Sequence, residues 1–127
     1  MIARPRVQHV SIPKPAGSHA EAQAFYGDML GLEEAPIPTS LQHLDLIWYR
    51  LGNTEIQLFT GTSGHDTSGR HLCIEVDDVA ALRQRLIEAG DTPEDTIAIP
   101  GRPRYFCRDP FGNSLEFTTI EGDYREG

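Results

Sequence analysis

The chain says nearly the same thing twice. A strand-like segment, an amphipathic helix and a β-hairpin follow one another in each half. Each half opens on a histidine and closes on a polar residue inside an alternating strand. The first half starts with Val7-Gln8-His9-Val10-Ser11-Ile12, which Pro13-Lys14-Pro15 stops. Ser18 fits a helix N-cap, and Glu21 completes the pattern of a capping box. Ala22, Phe25 and Met29 repeat at helical spacing up to Gly31. Leu46 to Arg50, the turn Gly52-Asn53 and Glu55 to Phe59 then read as a hairpin.

The second half restarts after a Gly- and Ser-rich connection. His71-Leu72-Cys73-Ile74-Glu75-Val76 is a strand, and Asp77 or Asp78 caps a helix whose Val79, Leu82, Leu86 and Ala89 form one stripe. Gly90 closes that helix. Ile97-Ala98-Ile99 reads as a short strand. Arg104 to Arg108, the turn Asp109-Pro110-Phe111-Gly112-Asn113 and Ser114 to Thr118 make the second hairpin. Self-similarity on this scale predicts a duplicated βαβββ unit in an α+β fold. The copies differ by about one residue at the hairpin turn. That matters, because a one-residue slip turns a strand over.

Strand alternation singles out four side chains. His9 lies opposite Val10 and Ile12, and Gln57 lies opposite Ile56 and Leu58. His71 lies opposite Leu72, Ile74 and Val76, and Glu116 lies opposite Leu115 and Phe117. The apolar faces suit packing on the helices. The other faces would line a polar concavity if the sheet curls. Two imidazoles and a carboxylate brought together hold a divalent ion and leave positions open. A solvated outer face gives the same alternation, so the pattern by itself leaves both readings open.

At 127 residues the chain is expected to form one domain, residues 1–127. A formal net charge of −8 argues against nucleic acid and anionic membrane surfaces as partners. Cys73 and Cys107 form no CxxC pair and are expected to be buried free thiols in a reducing compartment. The opening Met1-Ile2-Ala3-Arg4-Pro5-Arg6 has no apolar stretch, and no run reaches membrane-spanning length. The expected location is cytoplasmic.

Four stretches together resemble a known family. They are the strand carrying His9, the run Ala24-Phe25-Tyr26-Gly27-Asp28-Met29-Leu30-Gly31-Leu32, the strand begun by His71, and Asp109-Pro110-Phe111-Gly112-Asn113-Ser114-Leu115-Glu116-Phe117. With them the chain resembles the vicinal oxygen chelate superfamily, which includes glyoxalase I, extradiol dioxygenases, and fosfomycin and bleomycin resistance proteins. The resemblance implies two paired βαβββ modules, about residues 5–60 and 70–120. It implies a curved, cup-shaped mixed β-sheet with helices outside, around one divalent metal (Fe, Mn, Zn, Ni or Co). The matching ligand positions are His9, Gln57, His71 and Glu116. A homodimer and a small-molecule substrate are implied as well.

Gln57 departs from the bacterial-type glyoxalase I pattern, which has a carboxylate there. An amide oxygen can coordinate, but it brings no charge. Glu116, the one carboxylate of the four, is the expected proton shuttle. Arg104 and Arg108, with Arg102 nearby, are candidates to bind an anionic substrate group. Trp48 and Tyr105, with Tyr49 and Phe106, are candidates for a pocket wall. The segment from Glu33 to His43 reads as a long loop. His71→Ala or Glu116→Ala is expected to abolish metal binding and leave the fold intact. The function the resemblance implies is a metal-dependent, glyoxalase- or dioxygenase-like enzyme that chelates a small oxygenated organic substrate on the ion; the alternative is a metal-free protein of the bleomycin-resistance type that sequesters an antibiotic.

Overall fold

Extended, β-rich segments leave the strand hydrogen bonds to be satisfied by pairing, and two sheets satisfy them here. The computed structural model describes residues 4–126. Met1 to Ala3, part of the opening stretch read above for an apolar leader, lie outside the described residues. The chain divides into two compact units at Ser63–Gly64. No helix among the described residues is long and apolar enough to cross a membrane.

In the first unit, β1 (His9–Lys14) is followed by α1 (His19–Ala22), which runs into a π-helical stretch, Gln23–Met29. Then come β2 (Glu34–Ala35), β3 (Leu46–Leu51) and β4 (Thr54–Thr60). The sheet order is β1-β4-β3-β2, with β1 parallel to β4 and the other pairs antiparallel. The predicted capping box does not form. Ser18 turns its hydroxyl back to donate to the Pro15 carbonyl at 2.6 Å, so it is already satisfied and does not cap. The π-helical turn has a reason at Gly27. A Cβ there would overlap the Gln23 amide, which reaches past it to accept the Tyr49 hydroxyl at 3.0 Å. The segment expected as a loop from Glu33 to His43 contains β2 and a 3₁₀ turn, Thr39–Leu41.

In the second unit, β5 (Leu72–Glu75) leads to α2 (Val79–Glu88), then β6 (Arg104–Arg108) and β7 (Ser114–Thr118). The order is β5-β7-β6, with β5 parallel to β7 and β6 antiparallel to it. Asp78 caps α2, accepting the Ala81 N–H at 3.0 Å, and Gly90 leaves the helix at φ 91°. Val79, Leu82 and Leu86 are buried on α2, and so are Tyr105, Leu115 and Phe117 on the sheet. Each such side chain contributes roughly 1.5–3 kcal/mol by leaving water. Ile97-Ala98-Ile99 is not a strand. Ile97 is 81% exposed, and its carbonyl accepts from the Arg104 guanidinium instead. The ladder position is taken by Glu94, which bridges to Phe106. The α+β class and the repeated strand–helix–hairpin order are therefore both present.

The Asp109–Asn113 turn shows why its sequence is so particular. The buried Asp109 carboxylate accepts the backbone N–H groups of Phe111 and Asn113, each at 2.9 Å, and the Asn113 side-chain amide at 2.8 Å. Gly112 has φ 88°, and a Cβ there would strike the backbone of Gly64 and His65.

Candidate functional site

Register decides which side chains share a face. In the first unit, His9 lies opposite Glu55, and Gln57 lies between Ser11 on β1 and Trp48 on β3. In the second, Glu116 lies between Cys73 on β5 and Phe106 on β6. Gln57 therefore stands level with the residue two past His9, and Glu116 level with the residue two past His71. The two positions are equivalent, as are Trp48 and Phe106. The turns absorb the difference in length. Arg50 pairs with Glu55 across a turn one residue shorter than the turn between Arg108 and its partner Ser114.

Both histidines are held in the same way. His71 Nδ1 lies 3.0 Å from the Gly69 carbonyl, and His9 Nδ1 lies 2.6 Å from the Gln8 side-chain oxygen. A backbone carbonyl can only accept, so His71 Nδ1 carries a proton and the ring presents Nε2 to Glu116. The partners present oxygen. Gln57 donates its Nε2 to Glu55 at 2.9 Å, so its Oε1 is turned away from Glu55. Glu116 points Oε1 at His71 Nε2, 3.1 Å away.

Glu116 is buried, and two arginines hold its other oxygen. Oε2 accepts from Arg102 Nη2 at 2.6 Å and from Arg104 Nη1 at 3.3 Å. Arg102 also donates to Cys73 Sγ at 3.4 Å, and its buried Nε has no partner among the described residues. The Cys73 thiol is pushed up, first by desolvation and then by the Glu116 charge. Cys73 is exposed, which corrects the expectation of two buried thiols. It shares the Glu116 face, and Cys107 is the buried one. Burial pushes the Cys107 thiol up to about 11.

The other sequence candidates separate cleanly. Arg104 and Arg108 share the Glu116 face, because β6 places them opposite Thr118 and Ser114. Arg108 donates to the Gly112 carbonyl at 2.8 Å. Trp48 is half-buried beside Gln57. Tyr105, read as a pocket-wall candidate, is a core residue. It pairs with Phe117, is 3% exposed, and donates its hydroxyl to the Val79 carbonyl at 2.8 Å. Tyr49 is likewise fully buried. A cleft of about 660 Å³ in the second unit is lined by Phe106, Arg108 and Ser114 from this face, and by His65, Asp91 and Glu94 among others.

Sequence reading missed Glu55 and the grip of Arg102 on Glu116. Alternation did place Glu55 on the Gln57 face, but nothing local showed that the two side chains meet. Imidazole nitrogen and amide oxygen in the first unit, and imidazole nitrogen and carboxylate oxygen in the second, are donor types that a borderline divalent ion accepts. His71 and Glu116 form one adjacent pair. Among the described residues, no three His, Cys, Asp or Glu side chains gather as a group that could hold a metal ion.

The chain is 32% identical to ethylmalonyl-CoA/methylmalonyl-CoA epimerase of Cereibacter sphaeroides, over 80% of this chain and 86% of that protein. It is 28% identical to mouse mitochondrial methylmalonyl-CoA epimerase over 80% of its own length, a match that spans only 64% of the mouse protein. A crystal structure of a glyoxalase family protein from Bacillus anthracis superposes with a TM-score of 0.84 at 32% identity, covering 94% of this chain and 98% of that one. The Glyoxalase/Bleomycin resistance protein/Dioxygenase superfamily model matches residues 6–117, and the chain belongs to that superfamily.

Proposed function

We propose that this chain is a divalent-metal-dependent enzyme that moves a proton on the carbon beside a carbonyl group of a small oxygenated substrate. His9, Gln57, His71 and Glu116 would hold the ion. One observation carries the reading: His71 Nε2 and Glu116 Oε1 face each other at 3.1 Å, while Nδ1 is tied to Gly69. In the structure a proton on Nε2 bridges the pair; with that proton removed, both groups turn a lone pair to the same point, which suits a cation in its place. A bound divalent ion would supply Lewis-acid stabilisation for negative charge developing on a substrate oxygen.

The chain's own residues supply the rest. Glu116 is the group proposed to carry the proton, a carboxylate beside an imidazole. Arg104 and Arg108 are proposed to orient an anionic part of the substrate, and Trp48 and Phe106 to cover it from water. The two curated relatives support proton transfer over oxygenation. Both are named as epimerases, and inversion at carbon removes a proton and returns it.

A second reading is a metal-free binding protein. The two guanidinium groups on Glu116 Oε2 favour it, because they already neutralise the carboxylate. Elemental analysis of chain purified without chelator decides between the two. About one equivalent of transition metal in the wild type and none in His71→Ala supports the enzyme. A wild type without metal that still binds a small molecule supports sequestration.

A further inference from the structure

We infer that Glu55 is the positioning residue that turns Gln57 into a metal ligand and supplies the negative charge the amide lacks. The inference rests on the metal reading above. Glu55 and Gln57 are two apart on β4, so their side chains leave the same face, and His9 lies directly across from Glu55. The two ends of a glutamine amide have nearly the same shape, so the hydrogen-bond network decides which end points outward. A carboxylate only accepts. With Gln57 Nε2 donating to Glu55 Oε1 at 2.9 Å, the amide nitrogen is committed and the oxygen is turned away from Glu55.

Comparison of the two units supports the same assignment. The position of Glu55 corresponds to Ser114, and that of Gln57 to Glu116. The second unit carries its carboxylate at this position, and the first carries it two residues earlier. A glutamate at position 57 would face Glu55 at hydrogen-bonding distance, and two like charges there repel. The amide is thus the side chain that its neighbour allows.

The test is Mn²⁺ binding to the full chain, followed by the spin-resonance signal of free Mn²⁺, with thermal unfolding in EDTA as the fold control. Glu55→Met is expected to weaken binding about tenfold, to the level of Gln57→Ala, and the double variant to be no weaker than either single one. Glu55→Gln keeps an acceptor oxygen and is expected to lose less. The exchanged pair Glu55→Gln with Gln57→Glu is expected to bind more tightly than Gln57→Glu alone. If Glu55→Met unfolds, the Glu55→Gln variant and the exchanged pair decide by the same ordering. Wild-type affinity in Glu55→Met beside a weakened Gln57→Ala overturns the role of Glu55 and leaves the metal reading standing. A wild type that takes up no Mn²⁺ removes both.

Discussion

Glu116 shows how much one side chain can be asked to do. Its carboxylate is 3% exposed and faces two guanidinium groups, whose side chains are 17% and 15% exposed. The sequence reading expects Glu116→Ala to leave the fold intact. The contacts argue otherwise, because truncation strands two largely buried cations. The expected loss is about 3 kcal/mol, seen as a lower urea midpoint, with Glu116→Gln losing less. A midpoint equal to wild type would mean that the arginines find other partners. Arg102→Met tests the same contact from the other side. A cation at Oε1 then no longer faces the nearer guanidinium, and Mn²⁺ affinity is expected to rise about tenfold, measured against a competing chelator. Arg102 could not be assigned to Glu116 from sequence, since it lies just before β6 and outside any alternation. Tyr105 was ambiguous for a different reason. Apolar residues occupy both parities of Arg104-Tyr105-Phe106-Cys107-Arg108, and only pairing with Phe117 shows which face is core.

At the scale of elements, the end of β1 is secured by a polar knot. Lys14 is fully buried, and its ammonium donates to Asp45 at 3.0 Å and to Thr60 at 3.2 Å, joining β1 and β4 to the approach of β3. The Gly17 N–H, and after it Lys14, hold the Asp45 carboxyl below its ordinary 3.8. A carboxyl with a lowered folded-state value stabilises fully above the unfolded value, about pH 4, and this contribution is lost as pH falls through the folded value. Asp45→Asn is therefore expected to lower the urea midpoint at pH 7 and to lower it less near pH 3. The cost at pH 7 is about 1 kcal/mol, reduced from the usual range for charged hydrogen bonds because Asp45 is half exposed. Equal losses at both pH values would remove the electrostatic explanation. Apart from the Ser18 capping box, which does not form, caps and turns were the legible part of the elements. Asp78, Gly90 and the Gly52-Asn53 turn stand where their local chemistry predicts. Ile97-Ala98-Ile99 failed as a strand because a short β-branched run needs a surface to cover it, and Ile97 has none.

For the whole molecule, bound metal should appear as stability. Mn²⁺ at about 100 times its dissociation constant is expected to add about 2.7 kcal/mol, a rise of several degrees in Tm that EDTA reverses and His71→Ala lacks. A Tm that none of Mn²⁺, Zn²⁺, Ni²⁺ and Co²⁺ moves would count for the sequestering reading. The amino-acid sequence by itself determined the repeated module, the class of fold and the faces on which His9, Gln57, His71 and Glu116 stand, because periodicity and turn chemistry are local and can be read without coordinates; the superfamily was legible in the resemblance of four stretches. Only the tertiary structure decided that Gln57 and Glu116 are equivalent, that Glu55 holds the amide, that two arginines grip the buried carboxylate, and that Tyr105 belongs to the core. Each of those depends on strand register or on contacts between residues far apart in the chain, and no local pattern encodes either.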